Sequence, residues 1–227
     1  MKKNNKRKLC VAFDGFSASG KSLGAKLISR KYNLRLLNSG LLYRYAALLI
    51  LKNKPKNKTS FLRKKFSKLN YKKLTYFNLH SEEISNYSSV IAKQKKIRLI
   101  LKKYQKKFAK KFTRIAIEGR DISTKILNKN PKYDIAFFFK CNLNIAAYRR
   151  WKDLKRLNKQ ITLSKVKKSL KKRNQLDIKR RFSPLIQTKD SIIIRTDILN
   201  KKAMLTKMSE EIEKRLLLKY GRNYKTR

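Results

Sequence analysis

Gly15-Phe16-Ser17-Ala18-Ser19-Gly20-Lys21-Ser22 is the stretch on which the reading of this 227-residue chain turns. It has the form G-x-x-x-x-G-K-[ST] and lies between an apolar run at residues 8–13 and a segment, 21–31, with helical spacing at Leu23, Leu27 and Ile28. Strand, glycine-bearing turn, helix is the context in which that pattern carries chemistry. The glycines let the backbone curl into a nest of N–H groups aimed at phosphate oxygens, and the helix N-terminus adds its partial positive charge. Lys21 brings a full charge toward the β and γ phosphates of a bound ATP, and the Ser22 hydroxyl suits the Mg2+ that accompanies it. Gly15, Phe16, Ser17, Ala18, Ser19, Gly20, Lys21, Ser22 and the adjoining Leu23 are therefore the candidate ATP-binding segment, with Ser22 the candidate metal ligand.

Outward from this loop the chain alternates strands with helices. Residues 35–38 read as a strand and 41–51 as a helix, with Leu42, Tyr45, Ala46 and Leu49 available for burial. The segment 52–70 is a Lys, Asn and Ser stretch broken by Pro55, which argues for an insertion away from the main core. Ser81-Glu82-Glu83 opens a helical pattern, and 97–112 is amphipathic, with Leu99, Leu101, Tyr104 and Phe108 among many lysines. Residues 114–118 and 134–139 read as strands, the second a run of Ile, Ala and three Phe suited to burial on both faces. Helices are expected at 144–158 and 162–172, a last strand at 191–195 and a terminal amphipathic helix at 201–220. This alternation predicts an α/β sandwich in one domain, a parallel sheet covered by helices through right-handed crossovers. An insert over about 52–112 and a helical lid over about 150–183 complete the expectation.

Composition bounds the rest. The formal net charge is +50, yet Lys is scattered over nearly every segment, whereas a nucleic-acid footprint concentrates on one element. No specific nucleic-acid partner is expected, although the field attracts nucleotides and other polyanions. The apolar run after the basic start is cut off by Asp14, so no export signal is expected, and lysines interrupt every stretch well before the eighteen or so apolar residues of a membrane span. The expectation is a soluble, cytoplasmic, monomeric protein with no membrane partner. Cys10 and Cys141 lack companions at metal-ligand spacing and read as reduced, buried thiols.

Three further segments, in order, carry a resemblance. Asn38-Ser39-Gly40-Leu41-Leu42-Tyr43-Arg44 resembles the D-[ST]-G-x-x-Y-R segment of bacterial cytidylate kinases. Glu118-Gly119-Arg120-Asp121-Ile122-Ser123-Thr124 is similar to that family's D-G-R-D-x-G-T, again at a strand end, where open α/β sheets hold ligands. Arg173, Asp177, Arg180 and Pro184-Leu185 reproduce the lid spacing R-x-x-x-D-x-x-R-x-x-x-P-L. The resemblance implies a P-loop NTPase-type α/β fold with an inserted monophosphate-binding lobe. It also implies transfer of the γ-phosphate of ATP, with Mg2+, to CMP or dCMP.

By the same resemblance, Ser39, Arg44, Ser89, Arg98, Asp121, Asp177 and Arg180 contact the cytidine nucleotide, and Arg149, Arg150, Arg173 and Arg180 grip ATP phosphates as the lid closes. Lys21, Arg180 and Asp121 are the candidate catalytic set. The chemistry is coherent, since an arginine fork holds phosphate bidentately where Lys gives only a point charge. Simpler readings stand beside these: Asp121 as a helix N-cap, Ser89 as an ordinary helix serine, the lid arginines as solvated charges. The chain departs from the family pattern at Asn38 (usually Asp), His80 (usually Arg), Ser22-Leu23 (usually Gly-Thr), and Leu176 and Ile178 (usually Arg). His80, the one histidine, reads as an incidental surface residue. Two rival functions differ in kind: a P-loop kinase of another small acceptor, and an RNA- or ribosome-associated ATP-binding protein.

Overall fold

The computed structural model describes residues 7–156 and 160–221. Its elements are β1 (Leu9–Gly15), α1 (Lys21–Lys31), β2 (Arg35–Asn38), α2 (Ser39–Asn53), α3 (Lys58–Ser67), α4 (Glu82–Ile91), α5 (Lys95–Lys111), β3 (Arg114–Glu118), β4 (Ile135–Lys140), α6 (Leu143–Lys155), α7 (Leu163–Lys179), β5 (Ile192–Arg195) and α8 (Lys201–Tyr220). A 3-10 turn at Tyr71–Tyr76 and a single π turn at Ile122–Ile126 complete the order.

The chain divides into two compact units. The first, Met1–Leu37 with Phe112–Arg227, holds a five-stranded sheet in the order β2-β3-β1-β4-β5. β1 pairs in parallel with β3 and β4, and β4 with β5. On one face Leu9, Val11 and Phe13 of β1 and Phe137 and Phe139 of β4 pack against Ala25 and Ile28 of α1 and Met204, Met208, Ile212 and Leu216 of α8. Strand alternation sends Cys10, Ala12 and Asp14 to the opposite face. The central strands are buried on both faces, which is why they read as unbroken apolar runs. The candidate functional segments fall at the carboxyl ends of these strands, on either side of β1, where the chain order reverses.

The second unit, Asn38–Lys111, is helical. It begins at Asn38 rather than near residue 52, because α2 packs on α4, α3 and α5 and forms part of their core. Leu42, Ala46, Ile50, Leu62, Phe66, Leu74, Leu79, Ile84, Ile91, Ile97 and Leu101 are buried, and Phe66 meets Tyr45 in a tilted pair with ring centroids 5.9 Å apart and Tyr104 edge-on at 6.0 Å. Helix α3 lies within the stretch read as an insertion. Asn57 caps it by accepting from the Ser60 N–H at 3.0 Å, and Leu62 and Phe66, four residues apart, give it a narrow apolar seam.

Boundaries elsewhere follow capping chemistry. Ser81, Thr162 and Asn200 accept from the N–H groups of Ile84, Lys165 and Ala203 at the starts of α4, α7 and α8. The helix expected at 144–158 runs Leu143–Lys155, and residue 158 lies outside the described residues. Helix α7 continues seven residues past the expected 172. Cys10 is buried, whereas Cys141 is half-buried, and both are free thiols. No helix among the described residues is long and apolar enough to cross a membrane.

Candidate active site

The glycine loop takes its shape from contacts its own residues dictate. Gly15 has φ +148°, and a Cβ there would lie 2.4 Å from the Phe139 carbonyl oxygen, so only glycine lets β1 pass this close to β4. The Phe16 N–H donates to that carbonyl at 3.2 Å. Gly20 (φ +79°) turns the chain into α1, where the Gly24 N–H closes the first turn onto the Gly20 carbonyl at 3.0 Å. Ala18 holds the left-handed region at φ +56° without glycine's freedom. The buried Ser19 hydroxyl and Lys21 Nζ both donate to the Phe16 carbonyl, at 2.8 and 3.1 Å. From outside, Thr196 at the end of β5 braces the loop: its Oγ donates to the Ser19 carbonyl at 3.0 Å.

Asp14 ties the loop to the neighbouring strand end. Its carboxylate, 2% exposed, accepts from the Ile122 N–H (2.8 Å), the Ser123 N–H (2.8 Å) and the Ser123 hydroxyl (2.7 Å). Burial pushes its carboxyl up from the ordinary range, the three donors and nearby Asp121 acting in opposite senses. Asp121, 7% exposed, precedes the π turn but makes no side-chain capping bond, so a capping role does not explain it. The buried Glu118 has one carboxylate oxygen with no hydrogen-bond partner among the described residues.

Helix α7 lies against the loop through polar groups. Asn174 Oδ1 accepts from the Ser17 N–H at 2.9 Å. Arg120 donates from Nε to Asp177 Oδ2 (2.9 Å) and from an Nη to the Ser17 hydroxyl (3.1 Å), and Arg180 donates to Asp177 Oδ1 (2.9 Å) and to the Ser183 carbonyl. Burial raises the Asp177 carboxyl, but the charges of Arg120, Arg180 and Arg173 outweigh it and hold the group below the ordinary carboxylate range. Lys21 is pushed well below its ordinary range by burial first and the Arg120 charge next, with Glu118 opposing. Glu118 and Asp177 are the carboxylates that oppose this shift, and Arg173 adds to it. Arg149 on α6 reaches the loop through Thr196, donating to its carbonyl at 2.8 Å.

Within the second unit, Asn38 Oδ1 caps α2 by accepting from the Leu41 N–H at 3.2 Å, a task a neutral amide performs as well as a carboxylate. Ser39 is buried and accepts from Gln105 Nε2 at 2.6 Å. Arg98 is buried, donates to the Ala92 carbonyl at 3.1 Å and lies over the Tyr43 ring at 5.4 Å. Arg44 Nη1 is 2.7 Å from His80 Nδ1. Ser89 donates back to the Ser85 carbonyl at 3.2 Å, as helix serines commonly do.

The first unit therefore brings together the loop residues Gly15 to Leu23 with Asp121, Arg149, Arg173, Asp177 and Arg180, and the second carries Ser39, Arg44, Ser89 and Arg98. Asp14, Glu118, Arg120, Asn174 and Thr196 were given no role by sequence reasoning. Asp14 left a signal there as a carboxylate ending an apolar strand, and Glu118 and Arg120 lie in the segment that resembles D-G-R-D-x-G-T, whereas Asn174 and Thr196 left none.

A glycine-bracketed nest with its lysine at the carboxyl end of a central parallel strand, faced by an arginine-bearing helix, defines a P-loop nucleotide-binding phosphotransferase. A family model described as cytidylate kinase matches residues 11–214, and the chain belongs to that family. It is 32% identical over 201 residues to a cytidylate kinase of Bartonella henselae, covering 86% of this chain and 90% of that protein. It is 30% identical over 217 residues to one from Clostridium botulinum, covering 91% and 98%. Among solved structures, an uncharacterized protein from Eubacterium ventriosum aligns over 92% of this chain and 99% of its own with TM-score 0.55 and 16% identity, a likeness of fold.

Proposed function

We propose that this chain transfers the γ-phosphate of ATP to CMP or dCMP, giving ADP and CDP or dCDP. What carries the reading is the retention, in one member of the cytidylate kinase family, of the loop lysine, the Arg44 and Arg98 pair and the Arg173, Asp177, Arg180 spacing. The cytidylate kinase names of its relatives support the choice of acceptor.

The roles follow from the chemistry of each group. The loop N–H groups from Gly15 to Leu23 cradle the ATP phosphates, and Lys21 meets the β and γ oxygens. Asn174 yields the Ser17 N–H as the phosphates enter. Arg149 and Arg173 add positive charge on the donor side, and Arg180 with Lys21 stabilises the transferring group. Ser39, Arg44, Ser89 and Arg98 hold the acceptor nucleotide, the arginines taking its phosphate as bidentate forks. Asp121 and Asp177 accept from its sugar or base. Arg120 acts on position, fixing Ser17 and Asp177 together.

Mg2+ fits the residues present. Ser22 is exposed at the start of α1, the unpartnered Glu118 oxygen is buried beside the loop strand, and no cluster of three acidic, His or Cys ligands lies among the described residues. That suits a metal that takes most of its ligands from water and nucleotide phosphates, with Ser22 its protein ligand. When bound, Mg2+ supplies charge neutralisation on the β and γ phosphates.

The same reading takes the protein as a cytoplasmic monomer acting on small nucleotides. Exposed lysines on α3, α5, α7 and α8 spread over both units, which favours general attraction of polyanions over a dedicated nucleic-acid face. The test is Arg44→Ala in steady-state kinetics. The KM for CMP should rise about tenfold or more with the KM for ATP little changed; equal CMP kinetics in the variant and the parent would remove Arg44 from the acceptor site.

A further inference from the structure

We propose that His80 is a positioning residue of the acceptor-phosphate site, accepting a hydrogen bond from Arg44 and so fixing the guanidinium that receives the phosphate. The inference rests on the functional reading above, which assigns Arg44 to the acceptor.

The geometry decides the roles of the two groups. Arg44 Nη1 and His80 Nδ1 lie 2.7 Å apart, hydrogen-bond distance. A guanidinium carries donors only and stays protonated at every accessible pH. The short contact therefore requires Nδ1 to be the acceptor, which makes the imidazole neutral with its proton on Nε2. An arginine in the place of His80, as the family pattern has it, offers no acceptor and sets two like charges together. This chain thus exchanges a second cation for a group that orients the first.

His80 is itself held at both sides. Leu79, 1% exposed, anchors the preceding residue in the core of the helical unit, and the following Ser81 is fixed as the N-cap of α4. The His80 N–H points to Asn78 Oδ1 at 3.4 Å. The anchored neighbours fix the backbone of His80, and its side chain, which is exposed, takes its direction from the contact with Arg44. Arg44 is on the second turn of α2, whose start is capped by Asn38, so both partners stand on fixed backbone.

Because His80 is the only histidine, its imidazole nitrogens can be observed alone by 1H–15N NMR of the full chain. In the nucleotide-free protein above the imidazole titration, the expected result is the neutral ring protonated almost wholly at Nε2, with that preference relaxing in Arg44→Ala to the weaker Nε2 bias of a free imidazole. In kinetics His80→Ala should raise the KM for CMP about tenfold, the loss expected for one charge-assisted bond, with kcat and the KM for ATP unchanged within about twofold. His80→Asn, whose Oδ1 can accept in place of Nδ1, should recover most of the loss. An imidazole protonated at Nδ1 overturns the proposal whatever the acceptor proves to be. So does the expected tautomer with an unchanged acceptor KM in His80→Ala. The NMR readout needs no nucleotide, so its failure is distinguishable from failure of the CMP assignment; should another monophosphate prove to be the acceptor, the same shift applies to its KM.

Discussion

Gly15→Ala tests how the loop is built. The added Cβ would lie 2.4 Å from the Phe139 carbonyl oxygen, 2.7 Å from its Cβ and 2.8 Å from its N, at φ +148°. None of those atoms is the far end of a flexible side chain, and Phe139 is fully buried in a strand paired on both sides. Either β1 and β4 separate at this rung, or the loop lifts and the Phe16 N–H loses its bond to Phe139. Overpacking a close contact costs about 1–3 kcal/mol, and where the loop also lifts, the buried N–H without a partner adds about 1–3 kcal/mol, a combined loss of roughly 2–6 kcal/mol. For a chain of this size that is about 4–24 °C in Tm. Urea unfolding followed by circular dichroism measures the stability, and ATP titration of the folded variant measures the loop, which should bind at least tenfold more weakly. Gly221→Ala is the control: its φ is also positive, +74°, with ψ −177°, but nothing lies within 4 Å, so only a backbone cost of about 1–3 kcal/mol is expected. A Gly15→Ala protein as stable as the parent, with unaltered ATP affinity, would refute the argument that close approach of the two strands shapes the loop.

Other outcomes follow from the same structure. Arg180→Ala should lower kcat by about 10²-fold or more, the scale of a lost transition-state donor, while disturbing stability much less; unchanged turnover would remove it from the catalytic set. Asp177, whose carboxyl is held below the ordinary range, contributes stability that is present above its unfolded pKa and lost as pH falls through its depressed folded pKa. Asp177→Asn should therefore flatten the acid limb of the stability curve measured by chemical denaturation from pH 6 downward, and an unaltered limb would contradict the ion-pair assignment.

The parts of the fold legible in the sequence were those whose signal is local. The G-x-x-x-x-G-K-S segment, the apolar runs that become β1 and β4, and the terminal helix, which spans Lys201–Tyr220 as expected, all carry their own periodicity or turn chemistry. Helix α3 was hidden because only Leu62 and Phe66 are buried along it and most of its other residues are polar or charged, three of them lysines. Helix α7 outran its expected end for a related reason: beyond Leu170 its inward groups are Arg173, Asn174 and Asp177, so the hydrophobic period stops while the helix goes on. The supporting half of the site arises from tertiary proximity. Asn174 meets Ser17 across 157 residues and Thr196 meets Ser19 across 177, and no spacing rule reaches that far.

The central claim is phosphoryl transfer from ATP to a cytidine monophosphate. It is tested most directly by ADP formation from ATP and Mg2+ by the full chain at moderate salt, with CMP, dCMP, UMP, AMP, GMP or no acceptor. The account predicts strong stimulation by CMP or dCMP over every other condition, whereas a flat response across all acceptors would contradict it and leave only an ATP-binding loop.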